Sequence, residues 1–316
     1  MSSSPVILAG ATGNLGGRIA RAIVARGGSV RAIVRPDADR DTVAKLRRDG
    51  VTVVEADFGS ATALAKACEG GACVVSALAG LRDVIVDAQS ALLGAALGAG
   101  VPRFFPSDFA LDFTKLPDGL NRNLDLRREF HRRLDRAPIA ATSVLNGMFA
   151  DLLTGQAPIV ILKLKRVVYW KTAEQPMDFT TIDDVASFTA AAALDPATPR
   201  FLRVAGDRVN ARELAAIASE LAGEEFRTLR AGGLRRLERI IRIARAISPG
   251  KDQLYPPWQG MQYLHNMFDG RALLEPLDND RYPGMRWTPV RETLAQYVRG
   301  KGSRTRRRQR EQTLTR

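Results

Sequence analysis

Val6-Ile7-Leu8-Ala9-Gly10-Ala11-Thr12-Gly13-Asn14-Leu15-Gly16 is a short aliphatic run that breaks at a glycine and opens into a segment with helical spacing. A buried strand followed by a tight turn and a helix is the simplest structure that satisfies this order. The three glycines serve different ends. Gly10 permits the turn, Gly13 lets backbone approach a ligand closely, and Gly16 lets the helix pack on the sheet. The helix is expected from Asn14 to Ala25, with Ile19, Ile23 and Val24 inward and Gly27 and Gly28 as its stop. Unpaired N–H groups at that helix start suit a pyrophosphate. A glycine-rich turn that binds nothing has the same letters, and the strand-before, helix-after context is what favours a dinucleotide.

Outward from this turn, the first half alternates β-branched runs with longer helical patterns. Strands are expected at Val6–Ala9, Val30–Val34, Val51–Glu55, Ala72–Ser76, Arg103–Pro106 and Ala140–Leu145, and helices near Asp39–Arg48, Thr62–Cys68, Asp83–Leu97 and Leu124–Asp135. That alternation predicts an α/β fold, a Rossmann-type doubly wound parallel sheet over residues 1–150. Residues 151–300 are expected to form a smaller α/β substrate lobe, with some strands returning to the main sheet. In it we expect strands at Ile159–Trp170, Phe179–Ile182 and Phe201–Ala205, and helices at Asp183–Leu194, Ala211–Ala222 and Leu234–Ile247. Residues Pro249–Gly260, with Tyr255, Pro256, Pro257 and Trp258, read as a patternless loop suited to a lid or pocket wall.

The second strand ends Ala32-Ile33-Val34-Arg35-Pro36. Where an NAD-binding domain places an acid for the ribose hydroxyls, Arg35 offers a permanent charge and a donor fork for a 2′-phosphate. The expected cofactor is NADP(H), held by Gly10, Thr12, Gly13, Asn14, Leu15, Gly16 and Arg35, with Ser76 and Ser107 at the ends of the fourth and fifth strands. Asp37, two residues beyond Arg35, leaves NAD(H) open, and Arg35 as a solvated strand end is the plain alternative. Ser107 and Asp108 either line the cleft or cap the loop that follows them.

Composition narrows the function further. The 316 residues are 45% hydrophobic and 26% charged, which fits a folded globular chain. The net charge of +13 is concentrated in part at the end, where residues 301–316 hold seven basic residues against Glu311. That tail is expected to be disordered and to attract polyanions weakly. The two cysteines, Cys68 and Cys73, have no CxxC spacing and read as buried thiols; with His131 and His265 they are too few for a zinc site. No nucleophile elbow points to a hydrolase. Without a signal segment or a spanning apolar run, the expected location is cytoplasmic, with no membrane span.

The glycine turn spaced GxxGxxG, Arg35, Val101-Pro102-Arg103-Phe104-Phe105-Pro106-Ser107-Asp108-Phe109, Ala141–Phe149 and Asp178–Val185 together resemble the NmrA-like and isoflavone-reductase-like branch of the atypical short-chain dehydrogenase/reductases, over residues 5–298. The resemblance implies NADPH in the first lobe and a variable substrate lobe meeting the nicotinamide. It also implies one of two activities: reduction of a small organic substrate, or cofactor sensing for a protein partner without turnover. The usual Tyr-x-x-x-Lys pair is absent from its place; Tyr297-Val298-Arg299-Gly300-Lys301 matches by letters only. The reductases of this branch use a lysine near the start of the helix before the sixth strand, and counting back from Thr142–Phe149 places that position at Arg127. Arg127 is then the expected catalytic cation, with water, His131 or Lys115 as the proton source. Taken by itself, His131 reads more readily as a satisfied or exposed histidine than as a proton relay.

Overall fold

The computed structural model describes residues 4–298, so the basic tail lies outside the described residues. Six strands form one parallel sheet: β1 (Val6–Ala9), β2 (Val30–Val34), β3 (Thr52–Glu55), β4 (Cys73–Ser76), β5 (Arg103–Phe105) and β6 (Ala140–Ala141), in the spatial order β3-β2-β1-β4-β5-β6. The reversal of direction falls between β1 and β4, which pair in parallel with Val6 beside Cys73 and Ala9 beside Ser76. Open α/β sheets bind ligands at the carboxyl ends of the strands at such a reversal.

Both faces of this sheet are covered, which is why β1 reads as an unbroken apolar run and β4 as one up to its final Ser76. On one face lie α1 (Asn14–Ala25) and α2 (Arg40–Arg48), with Ile19, Ile23, Val43 and Leu46 turned onto Leu8, Val34 and Val75. On the other lie α3 (Ala61–Cys68), α4 (Gln89–Gly98) and α5 (Arg122–Leu134), packing Leu64, Leu92, Phe130 and Leu134 on Ile7, Val74 and Phe104. A π-helical turn at Asp83–Ala88 leads into α4, where one continuous α-helix was expected. Cys68 and Cys73 are buried free thiols; burial pushes them up to about 11 and about 12, so neither ionises readily.

After β6 come β7 (Ser143–Leu145), β8 (Met148–Phe149), β9 (Val160–Ile161), β10 (Arg166–Trp170), β11 (Met177–Thr180), β12 (Phe201–Arg203), β13 (Asp207–Val209) and β14 (Arg227–Gly232). The helices among and beyond them are α6 (Ile182–Leu194), α7 (Ala211–Ala222), α8 (Leu234–Ile247) and α9 (Pro257–Asp269). The chain beyond residue 150 does not stay in one lobe. β12 pairs in parallel with β7, and α6 packs Val185, Ala186 and Phe188 into the core beneath α1. The smaller lobe is built on the sheets β13-β11-β8 and β14-β10-β9 with α7, α8 and α9.

Two sequence expectations need correction here. The strand expected over Ile159–Trp170 is a hairpin, because Lys165 adopts φ 51° and turns the chain so that Ile161 pairs with Arg166. The patternless stretch ends at Pro256: α9 starts at Pro257, and Trp258 is 2% exposed, packed on Leu237 and Ile241 of α8. Trp258 is therefore core and not pocket wall; its indole N–H donates to the Pro249 carbonyl. Pro at the first helical position and Gly270 at φ 90° after the last are the signals that mark α9 in the sequence. No described helix is long and apolar enough to cross a membrane.

Candidate functional site

The turn after β1 passes over the end of β4. Gly10 adopts φ +86°, and a Cβ there would meet the Ala77 carbonyl oxygen at 2.5 Å. A Cβ on Gly16 would lie 2.2 Å from the Gly10 oxygen, so both positions are closed to any side chain. Gly13 differs. Its φ of −80° suits any residue, and a Cβ would meet only the Gly10 oxygen at 3.3 Å, a tight contact that a shift of a few tenths of an ångström would relieve, so glycine is far less strictly required there. Gly13 caps α1 without a side-chain hydrogen bond, and no acid stands in the first turn. The helix start thus keeps free N–H groups and a positive dipole end, beside exposed Thr12 and Asn14 and half-buried Leu15.

Arg35 follows β2, the neighbour of β1, and is exposed. Its ion pair with Asp37 at 3.3 Å joins side chains that are 72% and 75% exposed, a contact that solvent screens and that holds the guanidinium little. Ser76, at the end of β4, is fully buried, yet its hydroxyl has no partner among the described residues. A buried hydroxyl without a partner marks a place for a ligand or water atom. Ser107 is committed otherwise: its hydroxyl donates to the Leu78 carbonyl at 2.6 Å and its N–H to the Gln89 side chain at 2.9 Å. It ties the loop after β4 to the loop after β5. Two residues on, Phe109 adopts φ 29°, a backbone conformation that costs energy for a bulky residue and is found where surroundings impose it. The Asn146 side-chain oxygen, at the end of β7, is also buried without a partner among the described residues.

Arg127, on α5, is fixed by two main-chain carbonyls: Nε donates to Asp108 O and Nη1 to Asn123 O, both at 2.8 Å. This sets a permanent positive charge against the carboxyl end of β5. One turn later His131 is buried, with Nε2 2.8 Å from the Asp108 carboxylate and Nδ1 3.2 Å from the Arg200 guanidinium. Arg200 can only donate, so Nδ1 accepts and the ring proton sits on Nε2, pointed at Asp108. Burial raises the Asp108 carboxyl, but His131 and the hydrogen bonds from His131 and Ser143, with Arg127 beyond, outweigh it and hold it below its ordinary range.

Both ring nitrogens of His131 are engaged, Nε2 by Asp108 and Nδ1 by Arg200, which holds the ring beneath the end of β5. Lys115 is engaged as well. Its ammonium donates to the carbonyls of Leu273 at 2.7 Å and Glu275 at 3.3 Å and lies 3.6 Å from Asp112, so it fastens the segment that follows α9. The group the sequence reading missed is Tyr263 on α9, which lies in the electrostatic field of Arg127 and Arg122. Burial pushes it up to about 12, so it keeps its proton throughout the working range. Arg122, at the start of α5, binds the carbonyls of Gln253 and Leu254 at 2.9 Å and stacks on Trp258, which brings α9 to this helix. The i, i+4 relation of Asn123 and Arg127 was visible in the sequence; the approach of α9 to both was not.

His131→Ala leaves a buried carboxylate without its main donor. We expect a loss of about 2–3 kcal/mol in urea unfolding at neutral pH, with cofactor affinity little changed. Since Asp108 titrates lower folded than unfolded, the stability it contributes is complete above the unfolded value near 4 and is lost as pH falls through the folded one. The variant should narrow its gap to the parent over that acidic window, and an equal gap at every pH would remove Asp108 from the account.

The NmrA-like family matches residues 2–248 of this chain. Pinoresinol reductase 1 of Arabidopsis thaliana is 29% identical over 239 residues, covering 70% of this chain and 75% of that one. The bifunctional pinoresinol-lariciresinol reductase of Forsythia intermedia is 24% identical over 322 residues, covering 94% and 100%. Among solved structures, AtPrR2 with NADP+ and (+)-pinoresinol superposes with a TM-score of 0.79 at 22% identity, over 94% of this chain and 99% of that one. The NADPH-dependent quinone oxidoreductase QOR2 of Escherichia coli, complexed with NADPH, gives 0.73 at 17% identity over 92% and 99%. At these identities the structural likenesses establish the fold.

Proposed function

Because this chain belongs to the NmrA-like family, we propose that it is an NADP(H)-dependent reductase of a small organic substrate, working in the cytoplasm. The observation that carries the reading is Gly13: a glycine that the protein fold requires far less strictly than its neighbours Gly10 and Gly16, on an uncapped helix start, is explained by a phosphate that needs the space. The orphaned Ser76 hydroxyl supports the same occupant, since it offers one more polar contact at the strand ends.

Bound NADPH would supply the hydride. The chain's own residues then divide the remaining work. The N–H groups of Asn14, Leu15 and Gly16 at the start of α1 would hold the pyrophosphate, and Arg35 would leave its exposed pairing with Asp37 to hold the 2′-phosphate. Ser107 and the strained Phe109 keep the end of β5 rigid. Arg127, held by Asp108 O and Asn123 O, steadies negative charge on the acceptor oxygen. The Tyr263 hydroxyl or water returns the proton, since arginine cannot. The test is NADPH oxidation, followed by absorbance, against a panel of carbonyl, enone and quinone acceptors.

Arg127 itself favours a second reading. A guanidinium where the resemblance implies a lysine cannot exchange protons, which suits a cofactor sensor that reports to a protein partner without turnover. The absence of NADPH oxidation with every acceptor, alongside tight NADP(H) binding, would decide for it.

Arg35→Glu is expected to weaken NADP(H) binding about tenfold to thirtyfold while leaving NAD(H) affinity within about threefold, by the loss of one charge-assisted contact and its replacement by a like charge. Titration calorimetry with both cofactors measures it. Equal affinities for NADP(H) and NAD(H) in the parent would overturn the assignment.

A further inference from the structure

Helix α8, Leu234–Ile247, carries five arginines and one glutamate. Its inner face is short: Leu237 and Ile241 are buried against Trp258, and the arginine nearest α9, Arg245, stacks over the same indole at 5.1 Å. Its one acid, Glu238, is spent on His265 of α9, at 3.0 Å. The outer face is different. Arg235, Arg239 and Arg242 stand at i, i+4 and i+7 and form one row, exposed and without a hydrogen bond or ion pair among the described residues. Beside that row run Arg236, Ile243 and Ile247, at i, i+7 and i+11; the two isoleucines are 59% and 79% exposed.

Unpaired cations alone are a solvated face, and isolated exposed aliphatics are ordinary. Their alignment along a helix of about 21 Å is what requires an explanation. We infer that the outer face of α8 docks this protein on an anionic lipid bilayer, the arginines meeting lipid phosphates and carboxylates while Ile243 and Ile247 enter the acyl boundary. Charge decides between occupants. A second copy packed face to face would set arginine row against arginine row, which is unfavourable in a two-fold contact. A nucleic acid would use the arginines and leave both isoleucines in water. A bilayer surface with anionic headgroups uses both kinds of residue at once.

The experiment is flotation of the full chain with vesicles of phosphatidylcholine alone and with one third phosphatidylserine. We expect binding only to the second, declining as salt is raised. Arg239→Gln with Arg242→Gln should lower the partition coefficient about twentyfold. Ile243→Ser with Ile247→Ser should lower it about tenfold or more and leave the salt dependence unchanged. All four side chains are solvent-facing, so unchanged melting temperatures certify that the variants are folded. A chain ending at Gly300 should keep most of the binding. Four results overturn the proposal: equal or absent binding to the two vesicle types; retention of binding by the arginine variant; loss of all binding on removing the tail; or isoleucine variants that bind as the parent does. In the last case, equal loss of vesicle and duplex DNA binding in the arginine variant would identify a general polyanion patch instead.

Discussion

Gly13→Val is expected to weaken NADP(H) binding about a hundredfold or more while lowering stability by less than about 1 kcal/mol. The two effects separate because the structure makes different demands at neighbouring glycines. At Gly13 the backbone is in an ordinary extended conformation and an added Cβ has only one close neighbour, at 3.3 Å. The side chain would instead occupy the space through which backbone N–H groups reach a phosphate, and losing two charge-assisted contacts worth about 1.5 kcal/mol each accounts for the hundredfold. Gly16→Val provides the contrast. Its Cβ would lie 2.2 Å from Gly10 O and 2.7 Å from Gly10 C, backbone atoms that cannot give way without displacing α1 from the sheet. That variant should lose about 3 kcal/mol or more in urea unfolding, and binding with it. Calorimetry and denaturation on the pair give the answer. A Gly13→Val protein that binds NADP(H) as the parent does would leave the turn without its proposed ligand.

Arg127→Ala should reduce turnover about a hundredfold and change NADP(H) affinity by less than about threefold, the pattern of a group that stabilises charge arising during reaction. Arg127→Lys retains a cation in the same place and adds a group able to exchange protons, so its activity should equal or exceed the parent's. His131 and Lys115 are both engaged in hydrogen bonds within the protein, so a further proton source is worth testing. Tyr263→Phe tests the nearest alternative: turnover falls and its solvent isotope effect changes if the phenol delivers the proton, and both stay fixed if water does. Steady NADPH oxidation unaffected by either change at Arg127 would remove that residue from the site.

The parts of the site that were legible in the sequence are local. Gly10, Gly13 and Gly16 act within one turn and its helix, and Arg35 is placed by the end of a single strand, so a short window contains the physics that fixes them. The parallel sheet was legible for a related reason: strands covered on both faces are nearly continuous apolar runs, as β1 is throughout and β4 is up to its final Ser76. Tertiary structure alone decided what the polar side chains were free to do. His131 finds Arg200 from 69 residues away, and Lys115 finds Leu273 from 158 away, contacts that no short window of sequence contains. It also decided that Trp258 is core and that Tyr263 stands beside Arg127, because both depend on where α9 comes to rest. Backbone propensity and apolar periodicity are written in neighbouring residues, whereas the saturation of a hydrogen-bonding group is settled only by partners that folding brings to it.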